Sequence, residues 1–268
     1  MNPLPEHHIA VLRQVQRLWP ERHIIVIGAS AVACHIGLSW RGTIDLDLSI
    51  AAALRVCDRR LEGLGWHRGP GAPQRWTTPT GAMVDVVPAA RTQIRRGGFE
   101  WPDGGAAMSL VGFRLAFADA VPLAIGRRFK VRIASLRSLV LLKMAAYVDR
   151  PWERDSDLED LAQILSGFLP GDAPARWSDQ VVELGLEYED VGPYLLGREI
   201  GGVADASERR LVQKFANAIA DPEDRLSTLA RMARHAPAGW TDPDRLALRW
   251  TAFRRGLESR RRRAKATT

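Results

Sequence analysis

The sequence of 268 residues has little cysteine and no long apolar run. Its two cysteines, Cys34 and Cys57, are too few for a disulfide framework and lack the spacing of a zinc site. Its six histidines form no metal-binding pattern. No apolar stretch approaches the roughly 20 residues of a membrane span, and Met1 to Glu6 lack the pattern of a signal peptide. We therefore expect a cytoplasmic protein without a membrane partner.

Two aspartates one residue apart are the leading candidates for chemistry. Asp45 and Asp47 lie in the segment Thr43–Ile50, where apolar and polar residues alternate as in a strand. Side chains of a strand alternate between its two faces, so both carboxylates are expected on the same face. Such a pair is suited to a hard divalent cation, usually Mg²⁺. The alternative is the solvated end of a strand or a turn.

A third carboxylate occurs on a later predicted strand. Asp85 interrupts the β-branched run Met83–Val87, which follows a hairpin-like turn at Pro79–Gly81. An acid in such a run needs a partner. It is either a satisfied buried aspartate or a third carboxylate beside the first two. In the second case it would ligate the metal and act as general base for an attacking hydroxyl.

An apolar strand and a turn of small residues precede the aspartates. His23–Ile27 predicts a buried strand, Gly28-Ala29-Ser30 forms the turn, and residues 31–36 predict a helix. The free amides and the dipole of a helix N-terminus favour an anion. Ser30 would either contact a phosphate or cap the helix. The turn lacks the lysine and the glycines of the P-loop and of the dinucleotide-binding loop.

A lysine in the second half of the chain is a further candidate. Leu136, Leu139 and Val140 define an apolar helical stripe, and Lys143 falls on that stripe where a hydrophobic residue is expected. A lysine in this position either extends its charge out to solvent or meets an anion. The functional interpretation is a cation directed at the phosphate of a ligand.

An aspartate at the start of the next predicted helix has two interpretations. Asp157 fits a capping box over residues 156–159, and an acid in the first helical turn is favoured by the helix dipole. It is therefore either a structural residue or part of the site. Asp160, about one turn further on, is expected to pair with Arg150 or Arg154.

These residues, taken in order, resemble a known family. An apolar strand, Gly28-Ala29-Ser30, a helix, Arg41-Gly42-Thr43-Ile44-Asp45-Leu46-Asp47 and a later acid are similar to the pattern of the polymerase-β-type nucleotidyltransferase superfamily. Within it the chain most resembles the AbiEii/MenT-type nucleotidyltransferases, which occur as toxins of toxin–antitoxin systems. The resemblance extends from residue 20 to the helices that hold Lys143 and Asp157.

The resemblance implies transfer of a nucleoside monophosphate from a nucleoside triphosphate to a hydroxyl group. The acceptor would be the 3′ end of a tRNA or a hydroxyl on a protein, such as a cognate antitoxin. The cofactor would be Mg²⁺, for which Mn²⁺ could substitute. Two alternatives remain open: an inactive nucleotidyltransferase-like module that binds nucleic acid or protein, and an adenylyltransferase that modifies a small molecule.

The resemblance also implies a role for each candidate residue. Arg41 would reach a phosphate or brace the turn before the catalytic strand. The implied metal ligands are Asp45, Asp47 and Asp85, and the implied catalytic residues are these three with Lys143 and Asp157. The implied nucleotide-binding residues are Gly28, Ala29, Ser30, Arg41, Thr43 and Lys143.

The expected fold is α/β (α+β), with a small mixed β-sheet flanked by helices in residues 1–134. A mostly helical region, residues 135–268, would contribute Lys143 and Asp157 to the cleft. Two further short strands are predicted at Arg114–Phe117 and Phe129–Ile133. The formal charge of +7 is concentrated in a basic tail over residues 253–265. This tail would bind RNA, bind an acidic protein surface or form a solubilising helix end.

Overall fold

The structure, a computed structural model, describes residues 4–37, 45–69, 72–102, 107–126, 129–220 and 225–266. Its strands are β1 (Ile24–Val26), β2 (Leu46–Ile50), β3 (His67–Arg68), β4 (Arg75–Thr77), β5 (Met83–Pro88), β6 (Gly98–Glu100), β7 (Ala107–Ser109), β8 (Val121–Ile125) and β9 (Phe129–Ile133). Its α-helices are α1 (Glu6–Leu18), α2 (Gly28–Ile36), α3 (Leu54–Glu62), α4 (Arg91–Arg96), α5 (Phe113–Ala118), α6 (Leu136–Asp149), α7 (Asp155–Gly167), α8 (Asp179–Val182), α9 (Tyr188–Val203), α10 (Ala206–Ala220), α11 (Arg225–Ala233) and α12 (Pro243–Ala266).

A mixed sheet forms the centre of the N-terminal half. Its strand order is β3-β4-β5-β2-β1-β9-β8, and β6 pairs separately with β7. Strand β2 runs parallel to β5, and β1 runs parallel to β9, whereas the other pairs in the large sheet are antiparallel. This mixed sheet with flanking helices, followed by a helical C-terminal region, confirms the fold class expected from the sequence.

Alternation along β2 separates a core face from a polar face. Leu46, Leu48 and Ile50 are fully buried, and Asp47 lies between the first two on the opposite face. Each buried aliphatic side chain contributes about 1.5–3 kcal/mol relative to exposure. The apolar face therefore holds the strand so that its acid points away from the core.

One predicted strand is wrong. Residues 114–117 lie within helix α5, which begins after Gly112 in a left-handed conformation and buries Phe113, Leu115 and Ala116. A short apolar run fits a buried helix as well as a buried strand, so periodicity alone could not separate the two. The strand predicted at Phe129–Ile133 is confirmed as β9, which pairs with β8.

The chain divides into two compact units, Met1–Leu142 and Lys143–Thr268, with the division inside α6. The N-terminal unit contains the sheet, and the C-terminal unit contains α7 to α12. Among the described helices, none has both the length and the apolar character needed to cross a membrane.

Helices α9 and α12 of the C-terminal unit touch through their backbones at three glycines. A Cβ atom added at Gly197 would lie 2.0 Å from the carbonyl oxygen of Phe253. One added at Gly256 would lie 2.0 Å from the carbonyl oxygen of Tyr194, and one at Gly201 would meet Leu257 at 2.4 Å. No side chain fits at these positions without separating the helices.

We expect Gly256→Ala to destabilise the protein, because the added methyl group would collide with rigid backbone rather than with a flexible side chain. Overpacking of this kind costs about 1–3 kcal/mol. The free energy of unfolding in urea measures the effect. The matched control is Gly202→Ala, because Gly202 is an exposed glycine of α9 and alanine there should stabilise the helix by about 0.5–1 kcal/mol. Equal changes in both variants would contradict the backbone contact.

Candidate functional site

Two of the three predicted carboxylates lie side by side on neighbouring parallel strands. Asp47 of β2 is the register partner of Asp85 on β5. Asp45 precedes β2 by one residue and stands two residues from Asp47, which places it on the same face by strand alternation. The structure thus brings together the acids that the sequence predicted from separate segments.

An arginine that the sequence analysis missed joins two of these acids. Arg75 of β4 is the register partner of Asp85 in the antiparallel pair of β4 and β5. Its Nε lies 2.9 Å from Asp85 Oδ1, and its Nη2 lies 3.2 Å from Asp85 Oδ2. The same Nη2 lies 2.7 Å from Asp45 Oδ2. One guanidinium therefore spans two carboxylates.

The neighbouring carboxylates change the pKa of Arg75. The hydrogen bond to Asp85 raises the pKa of Arg75 above its ordinary value, although partial desolvation acts in the opposite direction. The negative charges of Asp85, Asp45 and Asp47 raise this pKa further. All three acids therefore act on the same guanidinium.

The donor set is suited in chemistry to a hard divalent cation, because carboxylate oxygens are its preferred ligands. Within the ranges that the structure describes, no group of three or more His, Cys, Asp or Glu side chains is positioned to hold a metal. Instead a cationic guanidinium already pairs with Asp45 and Asp85. The two carboxylates thus already share one cation. This arrangement is compatible with a metal ion that would bind in place of the Arg75 guanidinium.

The N-terminus of helix α2 lies directly against Asp47. The Ile27 N–H donates to the carbonyl oxygen of Asp47 at 3.0 Å. Gly28 follows with φ of 62°, and a Cβ atom added there would lie 2.1 Å from Asp47 Oδ2. Ile27 is the N-cap and makes no side-chain cap hydrogen bond. The first amides of α2, including that of Ala29, therefore lie beside the acidic strand, where helix N-termini favour anions.

Ser30 supports the strand that carries the acids. The residue is 1% exposed, and its Oγ donates to the carbonyl oxygen of Asp45 at 3.3 Å. The alternative that Ser30 caps the helix is wrong, because α2 begins at Gly28 and its N-cap is Ile27. Contact between Ser30 and a phosphate stays a prediction. Arg41 and Thr43, both predicted to bind nucleotide, lie outside the described residues.

Lys143 forms a buried ion cluster in the C-terminal unit. Its Nζ lies 2.8 Å from Asp157 Oδ1 and 2.6 Å from Asp160 Oδ2. Its side chain is 5% exposed, so the alternative in which Lys143 extends its charge out to solvent is wrong. Burial lowers the pKa of Lys143, but the charges of Asp157 and Asp160 and their hydrogen bonds outweigh it and raise the pKa above its ordinary value.

Two sequence-based expectations for α7 need correction. Asp160 was expected to pair with Arg150 or Arg154, but its carboxylate pairs with Lys143 and is fully buried. The capping box is not formed, because the N-cap of α7 is Arg154 and makes no side-chain cap hydrogen bond. Asp157 nevertheless lies in the first turn, where the helix dipole favours an acid. Its Oδ1 binds Lys143, and Arg154 Nη1 lies 4.0 Å from its Oδ2.

Three proteins are among the solved structures that are similar to this chain. The antibiotic-resistance factor ANT(2'')-Ia has 14% identity and a TM-score of 0.40 over 84% of this chain and 99% of its own. An antigenic nucleotidyltransferase-like protein from Paracoccidioides brasiliensis has 16% identity and a TM-score of 0.42 over 86% of this chain and 92% of its own. JHP933 from Helicobacter pylori has 12% identity and a TM-score of 0.27 over 83% of this chain and 96% of its own. No protein-family model and no curated protein matches the chain. At these identities and TM-scores the similar structures carry no argument about the function of this chain.

We expect Gly28→Ala to destabilise the protein more than Gly81→Ala. Both glycines have positive φ, of 62° and 82°, so alanine at either position costs about 1–2 kcal/mol. Only Gly28 adds a collision, with Asp47, because nothing lies within 4 Å of a Cβ at Gly81. Urea unfolding of both variants separates the two effects. Equal losses of unfolding free energy would show that Gly28 does not touch Asp47 closely.

We expect Lys143→Met to reduce the free energy of unfolding by about 3–5 kcal/mol, because two buried carboxylates would lose their cation. The raised pKa of Lys143 makes its contribution fully present below its unfolded pKa of about 10.4, and the contribution is lost only as the pH rises through the folded pKa. Urea unfolding at pH 7 measures the loss. The exposed Lys214→Met is the control, with a change expected within about 0.5 kcal/mol.

A triple variant that removes the two acids together with the lysine tests whether the loss of stability is electrostatic. Adding Asp157→Asn and Asp160→Asn to Lys143→Met removes both uncompensated charges and should recover most of the lost stability. A triple variant no more stable than Lys143→Met would contradict an electrostatic origin of the loss.

Proposed function

We propose that this chain is a metal-dependent nucleotidyltransferase, which moves a nucleoside monophosphate from a nucleoside triphosphate to a hydroxyl acceptor. The observation that supports it best is the pairing of Asp47 with Asp85 on parallel strands, beside an uncapped helix N-terminus. Nucleotidyl transfer requires a binding site for cations and a binding site for phosphates. The carboxylates would provide the first, and the free amides next to them would provide the second.

The N-terminus of α2 is proposed to bind the triphosphate. The first backbone amides of the helix would donate to phosphate oxygens, and Gly28 would allow the close approach that a side chain prevents. The buried hydroxyl of Ser30 holds the chain at Asp45, which would keep the acids in place relative to this helix end. Arg41 and Thr43 keep the phosphate-binding roles that the sequence resemblance implies.

The carboxylates are proposed to hold Mg²⁺, with Mn²⁺ as a substitute, and to manage the proton. Asp45, Asp47 and Asp85 would be the ligands. When bound, the metal would supply charge stabilisation for the phosphates and acidify the acceptor hydroxyl. Asp85 would accept the hydroxyl proton, the hydroxyl oxygen would bond to the α-phosphorus, and the bond to pyrophosphate would break in line.

Lys143 keeps the catalytic and nucleotide-binding roles, and Asp157 the catalytic role, that the resemblance implies. Their 2.8 Å ion pair supports a role for Asp157 in positioning the ammonium group of Lys143. Since Lys143 also pairs with Asp160, its charge is already shared between two acids. A phosphate would therefore compete with two carboxylates for the same ammonium group.

The acceptor is the finer part of the proposal and derives from the sequence resemblance. It would be the 3′ end of a tRNA or a hydroxyl on a protein, in a toxin whose partner is a cognate antitoxin. The basic residues after Phe253 would favour RNA through neutralisation of phosphates. A small-molecule acceptor, the remaining enzymatic alternative, is separated from these by the place where the transferred label appears.

A second candidate function is an inactive nucleotidyltransferase-like module that binds nucleic acid or protein. The specific observation in its favour is Arg75, whose guanidinium pairs with Asp45 and Asp85. If this ion pair is permanent, Arg75 would neutralise the carboxylates in place of a metal, and the site would bind no metal. Binding would then depend strongly on salt, require no divalent cation and produce no transfer.

The proposal predicts that Asp47→Asn abolishes nucleotidyl transfer and that Asp85→Asn reduces it by about 10²–10⁴-fold, the range for loss of a general base. The assay incubates the protein with Mg²⁺, each labelled nucleoside triphosphate in turn and total RNA, cellular protein or small molecules. Asp58→Asn is the matched control, because Asp58 belongs to the same unit and pairs with Arg68 instead.

The control and the folding of each variant decide the outcome. Asp58→Asn should keep wild-type transfer, and circular dichroism should show native secondary structure in all variants. Normal turnover by a folded Asp47→Asn protein would defeat the proposed mechanism. Wild-type protein that transfers no label, but binds RNA in a salt-dependent and metal-independent manner, would favour the inactive module.

A further inference from the structure

The guanidinium of Arg75 occupies the position of a cation in the acidic site. Strands β4, β5 and β2 are consecutive in the sheet. The register aligns Arg75 with Asp85 and Asp85 with Asp47 in one row across these strands. Three hydrogen bonds join Arg75 to the acids, two to Asp85 and one to Asp45. A fork of this geometry matches carboxylate oxygens better than a point charge does.

The exposure of Arg75 and its partners permits another cation to replace the guanidinium. Its side chain is 36% exposed, and those of Asp45 and Asp85 are 27% and 15% exposed. Ion pairs with this access to water are weak in net terms, because solvent compensates the separated charges. The contrast is the Lys143 cluster, where all three side chains are nearly or fully buried. Arg75 can therefore withdraw towards solvent at a cost that a divalent cation can exceed.

We propose that Arg75 is a built-in counter-cation that competes with the divalent metal: it holds Asp45 and Asp85 in the metal-free protein and withdraws when the metal binds them. This proposal rests on the proposed function and adds a residue to its site. Arg75 occupies both oxygens of Asp85 and Oδ2 of Asp45. A metal ion bound to these oxygens would lie against a like-charged guanidinium, which favours withdrawal of Arg75. Each binding event therefore includes the rupture of the bridge between β4 and the acids.

The competition has a quantitative consequence for metal affinity. A site that is available for only a fraction of the time binds with an apparent dissociation constant increased by the inverse of that fraction. If Arg75 holds the carboxylates for all but about a tenth of the time, the metal binds about tenfold more weakly than it would to the open site. Removal of the guanidinium should therefore increase the metal affinity by about tenfold.

The test measures binding of Mn²⁺ alone, by the loss of the electron paramagnetic resonance signal of the free ion. We expect Arg75→Gln to bind Mn²⁺ about tenfold or more tightly than the wild-type protein, with unchanged stoichiometry. Arg68→Gln is the matched control, because Arg68 lies on the neighbouring strand β3 and pairs with Asp58 outside the acidic row. Its affinity for Mn²⁺ should equal that of the wild type. The double variant Arg75→Gln/Asp85→Asn should lose the gain.

Metal-free stability provides a readout independent of binding. With EDTA present, Arg75→Gln should melt at a lower temperature than the wild type, because Asp45 and Asp85 lose their bridging cation. Addition of Mn²⁺ should then raise the melting temperature of Arg75→Gln more than that of the wild type. Should Arg75→Gln fail to fold, Arg75→Lys replaces it: a point charge forms the double bridge poorly, and Mn²⁺ affinity should lie above that of the wild type.

The outcomes separate the two proposals. Equal Mn²⁺ affinity in the wild type and Arg75→Gln overturns the competition and leaves the metal site standing. No binding by either protein overturns both the competition and the metal-dependent function. Tight binding by Arg75→Gln alone is the extreme of the competition, in which Arg75 excludes the metal. The label-transfer assay then decides whether the wild-type chain is an enzyme or the inactive module.

Discussion

Parallel pairing of β2 with β5 is the constraint on which the acidic site depends. The register sets Asp47 beside Asp85, although two neighbouring carboxylates repel each other. The pairing persists because the residues flanking each acid, Leu46 and Leu48 on β2 and Val84 and Val86 on β5, are buried on the other face. A slip of one residue would exchange the faces of a whole strand. The core thus imposes the proximity of the acids.

Two ion clusters in this chain use the same chemistry in different environments. Arg75 and its partners are partly open to water, whereas Lys143, Asp157 and Asp160 are enclosed. A pair that water reaches can exchange partners at small cost, because solvent replaces the lost interaction. A buried pair cannot, because the group left behind has no solvation. The first cluster is therefore suited to binding and release, and the second to holding a fixed geometry.

Local patterns predicted much of the acidic site. An apolar strand followed by Gly28 and a helix, an Asp-x-Asp pair in an alternating segment and an acid within a β-branched run are each short-range signals. The structure has all three, as β1 with α2, β2 and β5. Longer-range relations were less accessible. Residues 114–117 are helical rather than extended, and Asp160 pairs with Lys143 rather than with a nearby arginine.

Arg75 shows why those relations could not be obtained from local patterns. In the sequence it is an arginine in a short strand, indistinguishable from other exposed arginines. Its partners, Asp45 and Asp85, become neighbours only when β4 pairs with β5 and β5 with β2. One signal was present in the alternation of β4, which buries Trp76 and leaves Arg75 on the polar face. That signal predicts the face of the sheet on which Arg75 lies. It does not predict which residues of the neighbouring strands lie next to Arg75 on that face.

The sequence by itself determined which side chains could do chemistry and which way each one points along its own strand, because alternation and helix capping depend on residues within a few positions of one another. Only the tertiary structure decided which of these groups meet. Strand order and register join residues between 10 and 38 positions apart along the chain, and they follow from burial of the sheet as a whole. The presence of a guanidinium among the acids is therefore a property of the folded sheet.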